Sequence, residues 1–183
     1  MKKIITCLMA CAMVLMTTSC KDKEDGAAVS DQQYYNVLAC TVLTAISNVY
    51  NQNIAGTSTQ TSEWHINAPY GGTIHISGSI NTGDNGLTRV DLDYMMEDVK
   101  WYWSSDNSSL SSEVTMTGVV HEVGSFKSAD NYSSLSKNSD NLRMTGVVKS
   151  GGDSRTVDEQ GKISLVSSVG SYDGSMFGYT VNN

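Results

Sequence analysis

The nitrogen and sulfur side chains that could anchor a metal ion are three histidines, His65, His75 and His121, and four cysteines, Cys7, Cys11, Cys20 and Cys40. A zinc site needs three or four donors converging at about 2 Å. No His-x-His or Cys-x-x-Cys pair begins one in this chain, so the spacing predicts neither a metal site nor any cofactor. Period-two patterning instead puts each histidine on the wetter face of a strand. His75 shares its parity with Ser77 and Ser79, opposite Ile74, Ile76 and Ile80. His121 goes with Thr115 and Thr117, opposite Val114, Met116 and Val120, and His65 faces away from Trp64 and Ile66.

Paired carboxylates can perform acid–base work on glycosides when about 5 to 10 Å apart. Asp91 and Asp93, however, alternate with Leu92 and Tyr94 and read as neighbours on one solvated strand face. The turn Asn81 to Gly86 lacks the alternating acids of a calcium loop and reads as a hairpin. No Gly-x-Ser-x-Gly elbow and no phosphate-binding glycine loop with its lysine is present. The remaining chemical feature is the aromatic cluster Trp101-Tyr102-Trp103, the candidate ligand-binding residues. Alternation places the two tryptophans on one face and Tyr102 on the other, which suits either a core filling beneath a helix or a stacking platform for a sugar.

At the start of the chain, Lys2 and Lys3 precede an apolar run from Ile4 to Met16 broken only by Thr6. This is the shape of a secretory signal, and the run is shorter than the roughly 20 residues needed to span a bilayer. Thr17, Thr18 and Ser19 then lead into Cys20, followed by Lys-Asp-Lys-Glu-Asp. The arrangement resembles the lipobox of bacterial lipoproteins, and the charged stretch resembles the tether of Bacteroides-like surface lipoproteins. Thr17 stands where that family usually has Leu. The resemblance implies a signal peptide over 1–19, a lipid on Cys20, a tether over 20–30 and a place in the cell envelope, on the outer membrane. It covers about 25 residues and implies nothing about 31–183.

Of the 12 basic and 19 acidic side chains, residues 1–19 contain two lysines and no acid, so the chain beyond them carries 10 against 19, a net charge near −9. That excess excludes nucleic acid as the main partner, since phosphate binding needs clustered Lys and Arg. With Cys7 and Cys11 in the leader and Cys20 acylated, Cys40 has no partner for an internal disulfide. A hydrophobic core must therefore hold the domain together.

The elements follow from the apolar periods. At 100° per residue, Tyr35, Leu38, Ala39, Val42, Leu43, Ala45, Ile46, Val49 and Tyr50 gather on one arc of a helix from Asp31 to about Gln52. Thr41, Thr44 and Ser47 fall outside it. Cys40 lies about 140° round the wheel, where it is either open to a second chain or simply a tolerated small residue. Ser30 or Asp31 can cap the first turn, and Gly56 stands beyond the last. From residue 63 the period is two, predicting strands near 63–68, 72–80, 87–95, 98–104, 112–123, 141–150, 154–158, 162–169 and 175–182. The short connections, among them Asp158–Gly161 and Tyr172–Gly174, force antiparallel neighbours. Ser104–Ser112 and Lys127–Asn141 are polar enough to be exposed loops. Gly78, Gly118 and Gly146 recur inside strands and mark a sharp bend, a bulge or close packing under another element, such as the helix lying across the sheet.

The expected fold is α+β: one N-terminal amphipathic helix packed on the concave face, or closing one end, of a strongly curved antiparallel meander or barrel-like sheet. The expected function is a membrane-anchored envelope lipoprotein that binds a glycan or partner protein without catalysis. An envelope or glycan hydrolase and a structural assembly subunit are the alternatives.

Overall fold

The computed structural model describes residues 29–56 and 62–183, so Cys20 and its leader lie outside the described residues. Helix α1 (Asp31–Asn53) begins at a capping box: the Gln33 amide donates to Ser30 Oγ, and Ser30 N donates to Gln33 Oε1. Together these satisfy two of the donors a helix start leaves open. The Ile54 amide closes the last turn on Tyr50 O, and Gly56 follows at φ +84°. Among the described residues no helix is long and apolar enough to cross a membrane.

The rest is one eight-stranded antiparallel meander in chain order: β1 (Ser62–Asn67), β2 (Thr73–Thr82), β3 (Thr88–Ser104), β4 (Leu110–Lys127), β5 (Tyr132–Ser150), β6 (Asp153–Ser168), β7 (Ser171–Met176) and β8 (Tyr179–Asn182). The sheet stays open, because β1 and β8 do not pair; it is not a barrel. The helix packs on the sheet and touches β3 through β8.

Enclosure changes the reading of the helix. The sheet covers more than the predicted arc, so Tyr34, Val37, Cys40 and Thr41 are buried as well. Cys40, 2 % exposed, is not open to a second chain; its Sγ lies 3.4 Å from Tyr172 Oη. Thr41, expected on the polar side, is fully buried because its hydroxyl finds partners in Val37 O and Ser112 Oγ, both at 2.7 Å. A hydrogen-bonded hydroxyl can be buried at little cost.

The strands are fewer and longer than the sequence predicts. Residues 87–95 and 98–104 form one strand, β3, interrupted by a bulge between Met96 and Val99. Likewise 154–158 and 162–169 join as β6, so Asp158–Gly161 is no turn; β5 bulges opposite it, between Ser139 and Leu142. Tyr172–Gly174 lies within β7, and the true turn is Phe177–Gly178 before β8. The predicted loop over 127–141 is mostly the first half of β5, with Lys137 and Ser139 buried, and β4 already starts at Leu110.

The recurrent glycines sit where a neighbouring strand's backbone leaves no room for a side chain. Gly146 has φ +143°, and a Cβ there would fall 2.1 Å from Glu113 O on the neighbouring strand. Gly78 makes the same approach to Asp91 O. Side-chain parity is kept across these glycines, so Ile74, Ile76, Leu92, Tyr94, Met116, Val120, Met144 and Leu165 all point into the core.

The two sheet edges differ. The free edge of β8 is covered by the helix: Asn36 Nδ2 donates to Asn182 O at 3.0 Å, Asn182 N donates to Asn36 Oδ1 at 3.3 Å, and Gln32 Nε2 donates to Thr180 O. The Asn36 amide thus imitates one residue of a ninth strand. β1 has β2 on one side only.

Candidate functional site

The aromatic cluster divides as alternation predicts. Trp101 and Trp103 are 5 % and 8 % exposed and belong to the core, whereas Tyr102 is 51 % exposed on the outer face. Tyr102 is one wall of a groove of about 730 Å³ that runs across β3, β4 and β5.

Strand register builds the groove. Tyr102, Glu113 and Val147 are successive partners across the three strands and form one ridge; Lys100, Thr115 and Thr145 form the next. Between them runs the row Trp101, Val114 and Gly146, whose side chains point inward or are missing. The floor is therefore low. Gly146 serves twice, letting the strands approach and leaving the groove unfilled. At one end Tyr70, from the β1–β2 turn, stands edge-on to Trp101 with ring centroids 5.8 Å apart, an orientation aromatic quadrupoles favour. The turn is fixed by Lys100 N donating to Gly71 O at 2.9 Å. The groove thus combines two phenol rings, an ammonium, one carboxylate and two threonines.

The carboxylates Asp91 and Asp93 lie on the outer face, as expected, and His121 joins them. His121 Nδ1 is 2.8 Å from Asp93 Oδ1, and Nε2 is 3.7 Å from Asp91 Oδ1. All three are well exposed, and solvent screens such pairs.

A second polar cluster, absent from the sequence reading, is sealed inside the sheet. Glu122 and Lys137 face each other across β4 and β5 with Oε1 and Nζ 2.9 Å apart, their side chains 4 % and 1 % exposed. Tyr94 Oη donates to Glu122 Oε2 at 2.8 Å, and Lys137 Nζ donates to Ser167 Oγ. Burial, and then the Glu122 carboxylate, drive the Tyr94 phenol far above its ordinary range and push Tyr50 up to about 12. None of these groups lines the groove. Glu122 carried a signal: it shares the parity of Val114, Met116 and Val120. Lys137 carried none, since its stretch read as loop.

The helix start has its own cluster. Tyr34 and Tyr35 hydroxyls donate to Glu159 Oε1 at 3.1 and 3.3 Å, and the Arg155 guanidinium lies 3.9 Å over the Tyr34 ring while pairing with Asp31. Burial first, then Glu159, raises both phenols well above their ordinary range. These contacts bolt the helix to β6.

Comparison of the chain with protein-family models, with curated proteins and with solved structures gives no match. Function has to be argued from the groove itself.

Proposed function

We propose that the chain is a lipid-anchored envelope protein that binds a glycan or a partner surface in the β3–β4–β5 groove, without catalysis. One observation carries the reading: the groove sets the faces and edges of Tyr70 and Tyr102 beside Lys100, Glu113 and two threonines. A sugar has an apolar face and a polar rim, and such a lining meets both. Hydrolysis of a glycoside uses two carboxylates about 5 to 10 Å apart. Glu113 is the sole carboxylate among the groove's lining residues, which favours binding over cleavage.

The anchor rests on the sequence of the leader. From Cys20 to Ser30, ten residues reach at most about 35 Å when extended, enough to hold the domain clear of lipid headgroups. Labelling cells with radioactive palmitate tests it: the native chain takes up label, Cys20→Ala does not and moves to the soluble fraction. Label retained by Cys20→Ala overturns the anchor.

Titrating a panel of soluble envelope oligosaccharides tests the groove by calorimetry. Binding should weaken about fivefold or more in Tyr102→Ala and in Tyr70→Ala while both variants stay folded, since stacking on an aromatic face is worth about 1 kcal/mol or more. Affinity unchanged in both variants would remove the groove from the function.

A further inference from the structure

The antiparallel register of β1 and β2 sets His65 directly opposite His75 and Glu63 opposite Ser77. Residues 63, 65 and 75 therefore share the outer face, with Glu63 one step along from the histidine pair. Directly opposed side chains on one face have Cβ atoms about 4.5–5.5 Å apart, so two imidazoles in that position reach the same point in space. One donor atom from each of Glu63, His65 and His75 lies within 4.8 Å of the other two. Glu63 Oε2 and His75 Nε2 are 3.8 Å apart.

We propose that Glu63, His65 and His75 bind a divalent transition-metal ion of the zinc class. Donors on a tetrahedral zinc ion, with bonds of about 2.0–2.2 Å, stand roughly 3.3–3.5 Å from one another. The observed spacings, 3.8 Å between Glu63 and His75 and within 4.8 Å for the other pairs, are wider, and the turn of one ring can close them. Two imidazoles and a carboxylate are the donors that borderline divalent ions select, and three protein ligands leave a fourth position for water or a ligand.

A second observation points the same way. His75 Nε2 is shielded from solvent and makes no hydrogen bond, the one such side-chain atom among the described residues. A shielded, unpaired polar atom is costly, and a metal ion supplies the missing partner. Around the cluster, Asp93 is engaged by His121, and Met95, opposite His75 on β3, offers a thioether that zinc does not seek. Neither competes for the ion.

The His65 and His75 rings are stacked, with centroids 4.3 Å apart and planes 5° from parallel. Nitrogen lone pairs lie in the ring plane, so lone pairs in parallel planes do not meet at one ion. Binding must rotate at least one ring, and His65, exposed on the edge strand, has the room to turn. The sequence concealed this site because its two histidines are ten residues apart and converge only through strand pairing.

Zinc ion alone, titrated calorimetrically into the chelator-treated full chain in detergent near neutral pH, tests the proposal. We expect one ion per chain at micromolar affinity or better, at least tenfold weaker in His65→Ala and Glu63→Gln and lost in His75→Ala. His121→Ala should bind as the native chain does. Ring signals of His65 and His75 should shift on zinc addition in NMR spectra, while those of His121 stay. His65→Ala lies at an exposed edge position, and circular dichroism checks that its fold is kept. Equal zinc affinity in folded His65→Ala, or His65 and His75 signals unmoved by millimolar zinc, would overturn the site.

Discussion

Glu122 and Lys137 show how a charge survives inside a small domain. Each has its opposite within 2.9 Å, and Tyr94 and Ser167 take up further hydrogen-bonding capacity. An ion pair of this kind contributes little net stability against apolar residues of the same volume, yet loss of one member strands a buried charge at about 3–5 kcal/mol. Lys137→Met should therefore lower the urea unfolding free energy by about that amount. Glu122→Leu combined with Lys137→Met should recover most of the loss. A double variant as unstable as the single one would show that the stranded charge is not the cause. The exposed His121–Asp93 contact, though equally short at 2.8 Å, should matter far less because water screens it.

At the scale of the element, what the sequence disclosed depended on whether the inward positions were apolar. The helix, its Ser30 cap and strands such as β2 and β4 were legible, because Ile74, Ile76, Val114, Met116 and Val120 mark the core face. The first half of β5 was not. Its inward residues are Leu135, Lys137 and Ser139, and strand structure there comes from pairing with β4 on one side and β6 on the other. Local composition could not report those neighbours. The turn signal at Asp158–Gly161 misled for a related reason: Gly161, at φ +154°, sits in the irregular stretch of β6 opposite the β5 bulge rather than in a reversal. In the groove, Tyr102 was visible in the sequence, whereas Tyr70, Lys100 and Glu113 joined it only through register and the β1–β2 turn. The strand glycines stood out in the sequence, yet what Gly78 and Gly146 approach is the backbone of the neighbouring strand, not the helix. Gly146→Ala would force both a positive φ and a Cβ 2.1 Å from Glu113 O, and should cost at least about 1–3 kcal/mol. Gly152→Ala has open space around it and should change stability by no more than about 0.5 kcal/mol. Urea midpoints of the two variants decide it; equal effects would mean the close approach does not depend on the missing side chain.

Across the whole molecule the helix is largely buried against the sheet, and the tyrosines record that enclosure from several sides. Tyr34, Tyr35 and Tyr50 belong to the helix and Tyr94 to the sheet, and the phenols of all four are pushed upward by burial first and by a nearby carboxylate second. For Tyr50 the value reached is about 12. An unfolded tyrosine ionises near pH 10. Below that the phenol is protonated in both states, and the fold keeps its full stability. Above it the unfolded chain releases protons that the folded chain retains, so the unfolded state binds fewer protons and stability falls as pH rises. Because these residues tie helix to sheet, the loss should be felt by both together. Urea unfolding followed at rising pH should show a nearly constant free energy up to about pH 9.5, then a steep decline toward pH 12. Phenolate absorbance from these tyrosines should appear in step with the loss of helical dichroism and of tryptophan burial, as one cooperative event. A Tyr94→Phe, Tyr50→Phe variant should decline less steeply over the same range. Stability that stays flat through pH 12, or a helix signal lost well before the tryptophans are exposed, would contradict the enclosed arrangement.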